Sequence, residues 1–280
     1  MNHVTKAVIP AAGVGSRFLP LTKSMPKEML PVVHMPVIQY VVKQAWEAGI
    51  REILVITGRG KRSIEDYLDR SYEGGQNPYL ESLDRMLDDL AIFFVRQHEV
   101  RGLGDAIGHA ESFIDDEPFA VLLGDTITIP SCTKELVDLF SLHQRPVIAV
   151  EEVPPSMVGS YGIVSCIRSD DGQLFVRDLV EKPPIHESPS NLAILGSYLF
   201  TPEIFDSIRR TSPGKGGEIQ LTDAMRILNK ENPISVHIYR GRRFDIGNKL
   251  DWLKANIELA IADEDLGPDI REFIKELSHE

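Results

Sequence analysis

Apolar and polar positions alternate along the first 150 residues with two different periods. Short unbroken apolar runs at Val8-Ile9, Ile53 to Ile56, Ile92 to Val95, Phe119 to Leu123 and Val147 to Val150 have the length of strands buried on both faces. Between them, apolar positions recur at helical spacing over Val37 to Ala48, Arg62 to Leu68, Leu80 to Leu90, Gly104 to Phe113 and Lys134 to Leu142. Gly49 supplies a stop signal after the first of these helices. The alternation predicts an α/β fold, a Rossmann-like αβα sandwich whose central sheet is mostly parallel.

After Val153 the texture changes. Tyr161 to Ile167, Leu174 to Val180 and Ala193 to Phe200 are strand-like runs with no long helix between them. Loops carrying Pro154-Pro155 and Pro183 to Pro189 separate them. They predict a smaller antiparallel β lobe, embedded around residues 151–201, that forms the far wall of a cleft. Helical spacing returns at Pro202 to Arg210, Glu218 to Asn229, Leu250 to Ala262 and Ile270 to Leu277. Leu250, Trp252, Leu253, Ile257, Ala260 and Ile261 make an apolar stripe, which either packs inside one chain or joins two.

Composition narrows the function classes. A chain of 280 residues holds roughly one to two domains, and the pattern favours a single unit over 1–280 with terminal helices in 250–280. A net charge of -12 argues against nucleic acid as a partner, because such binding needs a basic surface. A few local Arg and Lys side chains still suffice for a positive cleft that takes a small anion. No run of about 18 apolar residues is present, so no membrane segment is expected. Met1 to Lys6 lacks the apolar core of a signal peptide. A soluble, cytoplasmic protein is the expectation, with Cys132 and Cys166 as reduced thiols without metal-type spacing.

The first strand runs into Pro10-Ala11-Ala12-Gly13-Val14-Gly15-Ser16-Arg17, and Pro26-Lys27-Glu28-Met29-Leu30-Pro31 follows. Glycines let a backbone approach a bulky anion, and successive loop N–H groups make an anion-binding concavity. A dinucleotide fingerprint is excluded, since Arg17 and Phe18 stand where its third glycine would be and the proline-rich stretch beyond is no regular helix. No Gly-x4-Gly-Lys-Ser/Thr occurs. Gly13-x-Gly15 alone is equally a plain tight turn; Arg17 and Lys27 shift it toward a nucleoside triphosphate site. Ligands of open sheets bind beyond the carboxyl ends of the strands, where Gln97, Gly102 and Asp125 fall. The Gln97 amide has both donor and acceptor for a base edge. Asp125 is either a cap of the next element or a Mg²⁺ ligand. Asp245 is either a turn aspartate before glycine or a second ligand. Lys182, beside Pro183, suits a phosphate or a surface ion pair, and Glu181 suits sugar hydroxyls.

These motifs in this order, with Ile38-Gln39-Tyr40, Arg96-Gln97, Gly102-Leu103-Gly104, Tyr161-Gly162, Val180 to Pro183, Pro189 to Ala193, Gly217 to Ala224 and Asp245 to Asn248, run through essentially the whole chain. Together they resemble the bacterial uridylyltransferases of the sugar-nucleotide pyrophosphorylase family. The resemblance implies a GT-A-like nucleotidyltransferase fold and reversible, Mg²⁺-dependent formation of UDP-glucose and pyrophosphate from UTP and glucose 1-phosphate. It implies that Ala11, Ala12, Gly13, Gly15, Arg17 and Lys27 hold the triphosphate, and that Gln97 and Gly102 read the base. Asp125 and Asp245 would hold Mg²⁺, while Gly162, Glu181 and Lys182 would take the sugar phosphate. It further implies a homo-oligomer, dimer or tetramer. Two positions depart from the family pattern, Gly124-Asp125-Thr126 in place of Pro-Asp or Ala-Asp-Asp and Ile246 in place of cysteine, and neither removes a ligand. A glucose-1-phosphate thymidylyltransferase and a non-catalytic sugar-nucleotide-binding regulatory protein are the alternatives.

Overall fold

The structure, a computed structural model, describes residues 3–70 and 77–278. Among the described residues nine strands form one sheet, in the order Ala91–Arg96, Glu52–Thr57, Lys6–Pro10, Phe119–Leu122, Leu192–Phe200, Val147–Glu152, Ser235–Ile238, Leu174–Glu181, Gly162–Arg168. The first four strands run parallel, as their buried apolar runs suggest. The fifth does not. Leu192–Phe200 pairs antiparallel with both neighbours, and Leu174–Glu181 pairs antiparallel with Gly162–Arg168 and with Ser235–Ile238. The sheet is therefore mixed rather than mostly parallel. Leu192–Phe200 is buried along nearly its whole length, and a strand buried on both faces reads the same in either direction, so its polarity is invisible in the sequence.

Alternation along the first strand divides the core. Ala7 and Ile9 face one cluster, with Ile38 and Val41 of helix Val37–Glu47, Leu83 and Met86 of Pro78–Asp88, and Leu136 and Phe140 of Cys132–His143. Val8 faces the other, with Ile107, Ile204 and Phe205 of Glu203–Arg209, and Ala224 and Met225 of Leu221–Glu231. Helix ends follow local chemistry. Val37–Glu47 closes at Gly49 (φ 91°), where Ile50 N–H donates to Ala45 O and Gly49 N–H to Trp46 O, a Schellman ending. The stretch expected as one helix over Gly104 to Phe113 is two short pieces, Leu103–Gly108 and Glu111–Ile114. Helix Leu221–Glu231 begins later than Glu218, because Gly216 and Gly217 hold positive φ and Gln220 is extended.

A third core positions the site. Phe18, Leu30, Val32 and Val37 from the N-terminal motifs pack with Ile127, Phe244, Ile246 and Ala255. Ile127 and Phe244 belong to a separate two-stranded ladder, Thr126–Ile129 against Arg242–Asp245. Helix Lys249–Ala262 closes over it, capped by Asn248, whose side chain accepts from Asp251 N–H and donates to the Asp251 carboxylate. Asn248 thus serves the helix end. The expected stripe on this helix splits: Trp252 packs edge-on against Phe18 and donates to Pro31 O, while Leu250, Leu253 and Ile257 are exposed. Among the described residues no helix is long and apolar enough to cross a membrane.

Candidate active site

Apolar anchors one to three residues away set the direction of each charged side chain. Phe18 is buried next to Arg17, Leu30 near Lys27, and Phe244 and Ile246 flank Asp245. Their burial turns Arg17, Lys27 and Asp245 toward the carboxyl ends of the strands, into one cleft of about 380 Å³. Asp125, Gly15, Gly162, Glu181 and Lys182 line the same cleft. Residues as far apart in the sequence as Gly15 and Asp245 thus meet in one place.

The register of the two-stranded ladder sets Asp245 opposite Thr126, beside Asp125. A Cβ built on Gly247 would stand 2.6 Å from Asp245 Oδ1 and 3.3 Å from Asp125 Oδ2, so both carboxylates crowd one point that only glycine leaves open. Burial and the Asp125 charge push the Asp245 carboxyl above the usual carboxylate range. Burial opposes ionisation of Asp125 as well, but the Lys27 ammonium, ion-paired with it, holds its carboxyl below that range. Two hard carboxylates with Lys27 as the cation bonded to one of them fit a divalent cation that shares substrate phosphates. Among the described residues no cluster of three or more metal-type side chains forms, so such a cation would draw further oxygens from substrate.

Lys27 touches the glycine loop. A Cβ at Gly13 would lie 3.6 Å from its Nζ, and one at Gly15 would lie 3.3 Å from its Cβ. Gly15 has φ 70°, and its carbonyl accepts from Thr22 Oγ1. Ala11 is less available than expected, because its N–H donates to Ile56 O and extends the sheet. Beyond the loop lies a second cavity of about 200 Å³, lined by Ala12, Val14, Arg59, Lys61, Gln97 and His98 among others. Gln97 is buried there. Gly102 is absent from the residues lining either cavity; it holds φ 106°, and a Cβ on it would strike Ile219 O at 2.6 Å. That glycine allows the loop to lie against Ile219.

The far wall comes from Gly162–Arg168 and Leu174–Glu181. Glu181 accepts from Thr222 Oγ1 at 2.6 Å and pairs with Lys182 at 2.9 Å. Lys182 holds φ 45°, a left-handed conformation uncommon for a side-chain-bearing residue, and its N–H donates to Tyr161 O. Such backbone strain, about 1–3 kcal/mol, gathers at ligand sites.

Three features escaped the sequence reading. Arg243 lines the cleft, ion-paired with Glu151 at 2.5 Å and stacked 4.5 Å from the Tyr161 ring. It lies two residues before Asp245 on one strand, so period-two alternation could have placed both on one face. Glu218, Gln220 and Thr222 also line the cleft, within a motif that carried no assigned role. Beneath Lys27, Glu28 and Lys61 form a nearly inaccessible ion pair at 2.6 Å.

Comparison with known proteins gives the chain a family. The nucleotidyl transferase family model matches residues 6–261. The chain is 45% identical to the UTP–glucose-1-phosphate uridylyltransferase of Staphylococcus epidermidis, over 99% of each chain. It is 44% identical to that of Staphylococcus haemolyticus, again over 99% of each. It is similar in structure to a UDP-glucose pyrophosphorylase complexed with UDP-glucose, with TM-score 0.88 and 40% identity, covering 93% of this chain and 100% of that one. The UTP-bound UGPase from Acinetobacter baumannii matches with TM-score 0.87 and 36% identity over 98% and 99% of the two chains.

Proposed function

The chain belongs to the nucleotidyl transferase family, and from that premise we propose that it transfers a uridylyl group from UTP to glucose 1-phosphate, forming UDP-glucose and pyrophosphate. The observation that carries this reading is the convergence of two sets of groups on one cleft: Arg17, Lys27, Asp125 and Asp245 from one wall, Gly162, Glu181 and Lys182 from the other. Curated relatives of that name at 45% identity over nearly the full length support it, as do similar structures holding UTP or UDP-glucose. Helices over both sheet faces support reading residues 1–280 as one Rossmann-like αβα domain, with the strands of 151–201 as the sugar-phosphate wall.

The mechanism follows from charge. An anionic oxygen of glucose 1-phosphate attacks the α-phosphorus of UTP, a bond forms there, and the bond to the bridging oxygen breaks, so the electron pair leaves with pyrophosphate. The nucleophile is already deprotonated near neutral pH, since a phosphate monoester loses its second proton at about pH 6; no general base is required. What remains is to bring two polyanions together and to stabilise the leaving charge. Arg17 and Lys27 serve the triphosphate beside the Ala12–Gly15 loop, Gln97 reads the base with Gly102 supporting it, Lys182 holds the sugar phosphate and Glu181 the hydroxyls. Asp125 and Asp245 would hold Mg²⁺, which when bound supplies a divalent positive charge beside the phosphates. Tyr161 and Glu151 hold Arg243 as a further cation on this wall.

Pyrophosphate release across the nucleoside triphosphates and a panel of sugar phosphates tests the reading. UTP with glucose 1-phosphate is the expected best pair; a clear preference for dTTP would favour a thymidylyltransferase instead.

The division of the walls is testable through the lysines. Lys182→Ala should raise KM for glucose 1-phosphate more than for UTP, and Lys27→Ala should do the reverse. Each removes a charge-assisted contact of roughly 1.5–3 kcal/mol, part of which appears in kcat. Steady-state kinetics with each substrate varied in turn checks this; equal effects on both substrates would contradict it. Gly162→Ala should act on the same side. Its Cβ would stand 2.8 Å from Ile194 Cδ1, 3.0 Å from Thr222 Oγ1 and 3.2 Å from Glu181 Oε2. Displacing Glu181 should raise KM for glucose 1-phosphate about tenfold and spare that for UTP. Homo-oligomerisation remains part of the proposal, supported by exposed Leu250, Leu253, Ile257 and Phe273 on the terminal helices; light scattering with Ile257→Glu checks it, a fall in mass being the expected result.

A further inference from the structure

Gln97 follows the edge strand Ala91–Arg96, and its N–H donates to Thr57 O, so its backbone is fixed as an extension of the sheet. Its side-chain Nε2 donates to Asp105 Oδ2 at 2.6 Å and to Gly102 O at 3.4 Å. A carboxylate can only accept, so the nitrogen must face Asp105; turning the amide over would set two acceptors against each other. Both amide hydrogens are then used within the protein, and the carbonyl oxygen is what Gln97 has left to offer the cavity it lines. Asp105 is itself held from the other side, by Arg101 at 3.3 Å on its second oxygen.

We propose that Asp105 is a positioning residue that sets pyrimidine specificity: by locking the Gln97 amide, it presents an acceptor to the base and so admits uracil while rejecting cytosine. This rests on the reading of the site as a UTP site. Uracil carries N3–H, a donor, whereas the cytosine N3 is an acceptor, and an acceptor facing an acceptor in a buried site leaves both unpaired. A polar site discriminates strongly against a ligand that leaves its groups unpaired. Thymine presents the same N3–H, so this lock does not distinguish UTP from dTTP.

The test is Asp105→Asn, with Asp105→Ala as a second variant that removes the anchor outright. Asparagine satisfies either orientation of Gln97, so only the long 3.4 Å contact to Gly102 O still opposes a turn of the amide donor toward cytosine N3. The ratio of kcat/KM for UTP over CTP, with glucose 1-phosphate saturating, should fall by at least about tenfold, chiefly because the CTP rate rises. The UTP-over-dTTP ratio should stay within about twofold of the parent's. General damage to the fold would lower all three rates together, and that outcome, with the UTP-over-CTP ratio unchanged, would overturn the proposal. The same ratio is read as Kd by equilibrium dialysis without sugar phosphate. A protein that binds UTP and responds to Asp105→Asn in Kd but forms no UDP-glucose would overturn the proposed function and leave this inference standing. A protein that forms UDP-glucose with an unchanged UTP-over-CTP ratio in both readouts would do the opposite.

Discussion

Asp245→Asn is expected to cut turnover by about 10²-fold or more without loss of thermal stability. The carboxyl group is partly buried beside Asp125 and is pushed above its ordinary range by that desolvation and by the neighbour's charge. Its ionised form therefore costs the folded state something at neutral pH, and removing the charge relieves the repulsion. The amide keeps the shape and can still accept from Gly247 N–H, as the carboxylate does at 2.8 Å. Activity collapses because the pair loses one of the two carboxylates, and with it half the negative charge, that would fix a divalent cation. Asp125→Asn should show a similar loss of rate, with some loss of stability, since Lys27 then keeps a partly buried ammonium without its ion-paired carboxylate. Initial rates over a range of Mg²⁺, with melting curves alongside, separate the two effects. Near-normal rates for both variants at limiting Mg²⁺ would contradict the metal assignment.

Lys61→Met is expected to destabilise the fold by about 3–5 kcal/mol, because it leaves the Glu28 carboxylate buried and unpaired. Burial pushes Glu28 up and Lys61 down against the pull of their mutual attraction, so the pair is not itself a strong source of stability. Removing both charges together should then be far milder, and Glu28→Leu with Lys61→Met should recover most of the lost stability. Urea unfolding of the two single variants and the double one measures this. A Lys61→Met protein within about 1 kcal/mol of the parent would mean the pair is solvated in solution. Since Glu28 follows Lys27 directly, and its Cγ would stand 3.3 Å from a Cβ on Gly124, the pair also seats Lys27 against Asp125.

Single elements were legible in the sequence where a local rule decides them. The strand runs at Ile53 to Ile56 and Ile92 to Val95 fall inside Glu52–Thr57 and Ala91–Arg96, and the helix expected over Arg62 to Leu68 is found over those residues. Gly49 ends its helix for the reason its type suggests. Strand direction was not legible, because Leu192–Phe200 owes its place between Phe119–Leu122 and Val147–Glu152 to distant partners. Ser235–Ile238 and the ladder of Thr126–Ile129 with Arg242–Asp245 are only four residues per strand, too short for a period to declare itself. The site divides in the same way. Residue types named Arg17, Lys27, Asp125, Glu181, Lys182 and Asp245, the family resemblance added Gly162, and the fold brings all of them to one cleft. Their bonds were hidden. Lys27 with Asp125, Glu181 with Thr222 and Arg243 with Glu151 and Tyr161 each span tens of residues, and no local pattern records such pairings.

Phosphorus NMR of the protein with UTP, glucose 1-phosphate and Mg²⁺ tests the central claim most directly, because it follows every phosphorus in the mixture. The account predicts that the UTP and glucose 1-phosphate signals fall together while UDP-glucose and pyrophosphate rise in equal amounts, and that adding pyrophosphate to UDP-glucose runs the reaction backwards. UTP that stays intact while UDP-glucose merely binds, or UTP that is lost to water without consuming glucose 1-phosphate, would contradict it.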